Sequence, residues 1–300
     1  DDTKQAYGHA FVLFGLCHAF QITQEAVFLE AALDVYDLMR TRFRDPYGGL
    51  IGRMTRDWRE EDGPSEFLPR SQNPMMHTFE AFLALAKVLE HQSAAVTSES
   101  VLQEAQAIAE FLFLRRDEAN AVPLFELYTK DWSLAAEEEG RFFSIGHQFE
   151  WAFLLSYGVE CGLPTSFLSI GQRCLEVGLD IGYDSERGIV RAFADSQGQI
   201  TREDLVYWDH TEALRALMHY VMRRSEIVDA PDLLLAFEKI LEFVKGNFLD
   251  PAYGGWYASL DADATPVAMR KGSVWKLDYH QTALCDEALR LASDSEEVIS

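Results

Sequence analysis

His147 and Glu150 stand three residues apart in the stretch SIGHQFEWAFLLSY (144–157), at the head of a segment that continues as Trp151, Phe153, Leu154 and Leu155. On a helix, residues i and i+3 share a face about one turn apart, so an imidazole and a carboxylate meet where a helix enters an apolar interior. Such a pair can exchange protons, because imidazole is the side chain that changes charge near neutral pH. In the plainer reading Glu150 ties down the helix N-terminus and His147 is a satisfied, half-buried imidazole, since such groups also occur in structural networks. The stretch has siblings, and they favour chemistry. His9, His77 and His280 each open another apolar segment, and Asp209, with His210 beside it, takes the corresponding place in one more.

These heads must be positioned by helices. Apolar runs recur near residues 6–20, 24–44, 75–91, 99–116, 146–160, 165–181, 207–223, 231–247 and 279–292, which predicts nine helices separated by short Gly, Pro and Asp clusters. The odd-numbered ones are apolar on nearly all sides and are expected to be buried all round. The even-numbered ones are amphipathic, as Glu238, Lys239, Glu242 and Lys245 show in LLLAFEKILEFVKGNF. The heads from His9 through His77, His147 and Asp209 to His280 are 68, 70, 62 and 71 residues apart, so the repeating unit is an inner and an outer helix with a long connection. The connections rhyme as FRDPYGGL (43–50), GYDSERGI (182–189) and FLDPAYGGWY (248–257), each a helix stop followed by a tight turn or short ribbon. Inner helices apolar all round favour closure into a ring over an open solenoid. In a closed ring they point the same way, and their distant heads converge at one end.

Composition sets the outer limits. With 300 residues, 48% apolar and 12% aromatic, the chain can fill a substantial core. A net charge of −23 argues against nucleic acid or an anionic membrane as partner. No apolar run approaches a membrane span, and no signal-peptide pattern is present. Cys17, Cys161, Cys174 and Cys285 lie inside helical patterns without metal spacing, and are expected to be reduced, buried thiols of a cytoplasmic protein. No metal motif, phosphate loop or dinucleotide fingerprint occurs, so neither metal nor cofactor is expected. Since the chain begins at Asp1-Asp2 without an initiator Met, its true N-terminus is expected elsewhere.

Five segments taken together, NPMMHTFEAFLAL (73–85), GHQFEWAFLL (146–155), YWDHTEAL (207–214), GGWYASLDADATP (254–266) and WKLDYHQTAL (275–284), resemble the N-acylglucosamine 2-epimerase family over essentially the whole chain. The resemblance implies an all-α (α/α)6 barrel forming a single catalytic domain over residues 1–300. Five inner helices are counted where that barrel has six, so about three N-terminal helices are expected to be missing. A fragment, a naturally open barrel, or one closed by a partner chain in a homo-oligomer all remain open.

The resemblance further implies an aldose–ketose isomerase or 2-epimerase acting on a free reducing sugar of the mannose type. His280 and His147 would be the acid/base pair on opposite sides of the reacting carbons. Glu150 would orient or tune His147, and His77 would assist ring opening or hold a sugar hydroxyl. Imidazoles suit the task because a base that titrates near neutrality can remove the C2 proton acidified by the adjacent carbonyl. Glu212 matches the family's acid at the mouth of its helix. Trp208 and Trp151 are candidate stacking surfaces for a sugar, with Trp256, Trp275 and Tyr279 near the last connection; core packing is the alternative for each. Arg53 can reach a cleft mouth or be a solvated arginine. The acidic AAEEEG (135–140) is expected to be an exposed loop, and His219 a structural residue. Two other functions stay in view: a glycoside hydrolase using paired carboxylates among Glu150, Glu212 and Asp209, and a non-catalytic sugar-binding protein.

Overall fold

The computed structural model describes residues 2–61, 67–115, 122–136, 140–273 and 276–299, with side chains to residue 294. Trp275 and the acidic residues 137–139 lie outside them. Nine α-helices are described: α1 (Ala6–Thr23), α2 (Ala26–Arg42), α3 (Gln72–Leu89), α4 (Ser98–Phe113), α5 (Ile145–Glu160), α6 (Phe167–Val177), α7 (Tyr207–Arg223), α8 (Ala230–Asn247) and α9 (Tyr279–Ile299). They fall at the nine apolar runs of the sequence. No described helix is long and apolar enough to cross a membrane.

Two compact units divide the chain, residues 1–142 with 156–167, and residues 143–155 with 168–300. In the first, α1 packs on α2 and α3, and α3 on α4. In the second, α7 packs on α8 and α9.

One device starts four of the inner helices. Strands β1 (Lys4–Gln5), β3 (Arg70–Ser71), β5 (Phe142–Ser144) and β9 (Leu205–Val206) immediately precede α1, α3, α5 and α7. Each pairs with a strand from the connection that follows the next outer helix, respectively β2 (Arg53–Met54), β4 (Leu127–Tyr128), β8 (Phe193–Asp195) and β10 (Ser259–Leu260). The hairpin β6 (Tyr183–Asp184) with β7 (Ile189–Val190) stands apart from this series. A helix leaves its first N–H groups without intrahelical partners. Here the first N–H of each is taken up by the carbonyl just before the paired strand: Ala6 donates to Gly52 at 3.0 Å, Gln72 to Glu126 at 3.2 Å, Ile145 to Ala192 at 3.0 Å and Tyr207 to Ala258 at 3.2 Å. The head of each helix is thereby clamped.

After these strands the chain turns back through five-residue loops, closed from Thr55 N to Arg59 O, Thr129 N to Ser133 O, Asp195 N to Gln199 O and Asp261 N to Thr265 O at 2.8–3.0 Å. The fourth residue of each, Trp58, Trp132, Gly198 or Ala264, has positive φ. The turns Asp45-Pro46-Tyr47-Gly48-Gly49 and Asp250-Pro251-Ala252-Tyr253-Gly254-Gly255 work similarly, with Gly48 at φ 94° and Gly254 at φ 70°, a conformation that costs L residues about 1 kcal/mol.

Two expectations are corrected. α1 and α9 are not buried all round: Val12, Ile22 and Leu289 are exposed. Among the described residues these helices lean on neighbours along one stripe only, whereas α3 is buried on nearly every side. Cys285 is likewise exposed on α9, although Cys17 and Cys174 are buried, with burial pushing both thiols up to about 12.

Candidate active site

The second unit gathers His147, Glu150, Trp208, Glu212, Tyr279 and His280. α5 starts at the β5 ribbon, and Ser144 Oγ accepts from His147 N at 3.3 Å, so the cap first considered for Glu150 is made by Ser144. Gly146 lets α7 approach: a Cβ there would lie 2.2 Å from Asp209 Oδ1 and 2.4 Å from the Trp208 ring. The Asp209 carboxylate thus sits beside the first turn of α5, where the helix dipole favours negative charge. α6 also presses on this turn through a π-turn (Gly178–Gly182), since a Cβ on Gly182 would meet Ile145 at 2.2 Å.

Trp208, at the second position of α7, borders both key imidazoles. Its ring lies 5.0 Å from that of His147 and stacks on that of His280 at 5.3 Å. The two histidines are therefore no farther apart than these two separations laid end to end. His280 sits among Tyr279 at 4.7 Å and Tyr207 at 6.2 Å, and the Tyr207 hydroxyl donates to Leu277 O at 3.1 Å, tying down the chain that enters α9.

The carboxylates complete the cluster. His280 Nδ1 lies 2.7 Å from Glu212 Oε1, and Arg215 Nη1 lies 3.5 Å from Glu212 Oε2. An ionised carboxylate can only accept, so opposite one, Nδ1 is the donor of this bond. The Tyr279 hydroxyl donates to Glu150 Oε1 at 3.4 Å. Glu150, Glu212 and His280 each offer an atom within 4.8 Å of the other two. That spacing suits a divalent cation, and the short His280–Glu212 bond equally suits a proton-transfer dyad.

His77 is in the first unit, its Nδ1 3.6 Å from Glu80 Oε2, with Tyr7 and Phe11 against its ring. HTFE (77–80) and HQFE (147–150) are thus the same helical pair occurring twice. Trp151 is fully buried, which is the packing alternative, and Arg53 is half exposed, beside Glu61 at 3.4 Å. Trp256 is half buried and bridges to Leu249.

The repeat needs a shift of register. His9 and His210, both fourth in their helices, share one arrangement: Nδ1 reaches the main-chain oxygen four residues back, Gln5 O at 2.7 Å or Val206 O at 2.8 Å, and the ring lies 4.9 Å from the residue ending the outer helix, Phe43 or Phe248. His9 therefore corresponds to His210, not to Asp209, and both are packing residues. Val190 N donates to His210 Nε2 at 3.1 Å, which fixes that ring as neutral; burial pushes its pKa down to about 4, against the bond to Val206 O.

Sequence reasoning missed Ser144, Tyr207 and the pair His219–Glu287 on α7 and α9. Only the last left a signal: His219 and Glu287 have the same 68-residue separation as Glu212 and His280.

Paired helices with ionisable heads, and an imidazole bonded to a buried carboxylate, define an all-α protein with a candidate acid/base site. The family model described as N-acylglucosamine 2-epimerase matches residues 1–283, and the chain belongs to this family. It is 25% identical to the D-mannose isomerase of Marinomonas mediterranea, over 97% of this chain and 72% of that protein. It is 24% identical to the cellobiose 2-epimerase of Dictyoglomus turgidum, over the same shares of each. A crystal structure of D-mannose isomerase superposes with a TM-score of 0.83 at 24% identity, covering 97% of this chain and 72% of that one. The fold class read from the sequence, all-α of the α/α-barrel type, is that of these structures. The chain is a carbohydrate isomerase, a 2-epimerase or an aldose–ketose isomerase.

Proposed function

We propose that this isomerase moves the C2 proton of a ring-opened, neutral reducing sugar of the mannose type through a cis-enediolate, with His147 and His280 as the acid/base pair. The observation that carries the reading is the single indole, Trp208, bordered by both imidazoles, one of them held by a buried carboxylate.

One imidazole takes the C2 proton. The C–H electron pair becomes a C1=C2 bond, and the carbonyl π pair moves onto O1. Returning a proton to C1 while the O2 proton passes to O1 gives the ketose; delivery by the second imidazole to the opposite face of C2, with the O1 pair re-forming the C1 carbonyl, gives the 2-epimer. Glu212 keeps His280 in one tautomer and stabilises the imidazolium that forms, while Glu150 tunes the pair from one turn below His147. The site's described charged groups in this unit are carboxylates, Arg215, which is engaged with Glu212 and with the Phe153 ring at 3.8 Å, and Lys276, which lies over the Tyr207 ring at 4.7 Å, so that carboxylates outnumber cations. That balance favours a neutral sugar over a phosphorylated or sulfonated one.

A panel of free sugars in deuterated water, followed by proton NMR, tests this. Mannose, glucose or fructose is expected to interconvert with a partner and to take up deuterium at C2 or C1. A hydrolase using Glu150 and Glu212 would instead release reducing ends from an oligosaccharide and exchange nothing, which would overturn the proposal.

A further inference from the structure

Two turns beyond the His280–Glu212 bond the same two helices meet again with their roles exchanged. Glu212 of α7 faces His280 of α9; seven residues on, His219 of α7 faces Glu287 of α9, Nδ1 to Oε1 at 2.8 Å. Seven residues are nearly two helical turns, about 10 Å of rise, so one face of each helix is used twice and the helices run parallel. Each glutamate is also approached by the arginine three residues along its own helix, Arg215 at 3.5 Å and Arg290 at 2.7 Å. The deeper pair is shut in, with His219 at 0% and Glu287 at 4% exposure. Phe153 of α5 joins the tiers: Arg215 lies over its ring at 3.8 Å, and His219 meets the ring's edge at 5.1 Å. Phe153 is also one turn on from Glu150.

We infer that His219, Glu287 and Arg290 form a positioning tier that locks the α7–α9 register and so holds the His280 imidazole on Glu212. None of the three touches the sugar; they act through His280. The inference rests on the assignment of His280 as a catalytic base. The need for such a lock follows from α9 itself, which packs along one stripe and carries the reacting imidazole at its second residue, where α-helices fray. Burial alone would raise Glu287, yet the bonds from His219 and Arg290 hold it down at about 2, so the carboxylate is a constant anion for both partners. A misplacement of about 1 Å at a reacting group can cost a hundredfold in rate, so the lock should be read in turnover.

The test is steady-state kinetics with a sugar that the enzyme interconverts. Glu287→Gln is expected to lower kcat by about tenfold or more with KM within about twofold, at unchanged far-UV circular dichroism. The exchanged double variant His219→Glu/Glu287→His, which copies the orientation of the upper tier, is expected to recover most of that loss. If Glu287→Gln does not fold, Arg290→Lys, which keeps the charge and loses the two-pronged grip, is expected to show the same split at about threefold. Wild-type kcat in whichever single variant folds, or a loss shared equally by kcat and KM and not recovered by the exchange, would overturn the inference. His280→Ala run alongside separates the two claims: if it retains turnover, the base assignment fails; if it is dead while Glu287→Gln is unimpaired, only the positioning tier fails.

Discussion

His280 Nδ1 and Glu212 Oε1 lie 2.7 Å apart, joining the heads of two inner helices across 68 residues of sequence. The carboxylate has no exposed surface and the imidazole keeps 17%, so the partner is enclosed while the ring still reaches outward. Replacing the carboxylate with an amide of the same shape should leave the ring in place but remove the charge that stabilises its protonated form. Glu212→Gln is therefore expected to reduce kcat by about a hundredfold or more with little change in KM. Initial rates across substrate concentration check this, and an unimpaired kcat would remove Glu212 from the mechanism.

Gly146 is where α5 admits α7. Gly146→Ala would set a methyl group 2.2 Å from Asp209 Oδ1 and 2.4 Å from the Trp208 ring, so the indole bordered by both imidazoles must move. A loss of about 1–3 kcal/mol in urea unfolding is expected, together with a fall in kcat. Wild-type values for both would show that the approach is looser than drawn.

The Glu150–Glu212–His280 cluster has the spacing of a metal-binding set, but the proposed chemistry uses hydrogen bonds and imidazolium charge. Dialysis against EDTA is expected to leave the rate of C2 exchange unchanged. Loss of exchange with EDTA, restored by one divalent cation, would reassign the cluster to metal binding.

Stability should fall on the acid side. His210 titrates at about 4 when folded against an ordinary 6.5, because burial disfavours the charged ring. Between these values the unfolded chain holds a proton that the folded chain refuses, so stability rises with pH across that window, by about 3 kcal/mol for this group, and is flat above it. Glu287 adds a second loss at lower pH: its contribution is present above 4.5 and disappears as pH falls through about 2. Urea midpoints measured from pH 4 to 7 for wild type and His210→Gln should differ in slope. Parallel curves would contradict the assignment.

Much of this was legible in the chain. Nine helices could be placed because their apolar period is long and regular, and the heads of α5 and α9 could be named because His147 and His280 follow a break directly. The two- and three-residue strands that start α1, α3, α5 and α7 could not, since so few residues carry no period and their partners lie about 50 residues away. Counting from the first histidine of each helix also set the repeat one residue off. His9 belongs with His210, a relation that depends on Phe43 and Phe248 lying under the rings. The exposed residues on α1 and α9 depart from the expectation of burial all round, because an apolar composition does not say which side of a helix is covered.

The central claim is that two imidazoles bordering one indole carry a single sugar proton, and C2 exchange in deuterated water measures that proton directly. His147→Ala and His280→Ala, each with wild-type circular dichroism, are expected to abolish incorporation into a sugar that the wild-type enzyme labels. Near wild-type incorporation by either variant would contradict the account.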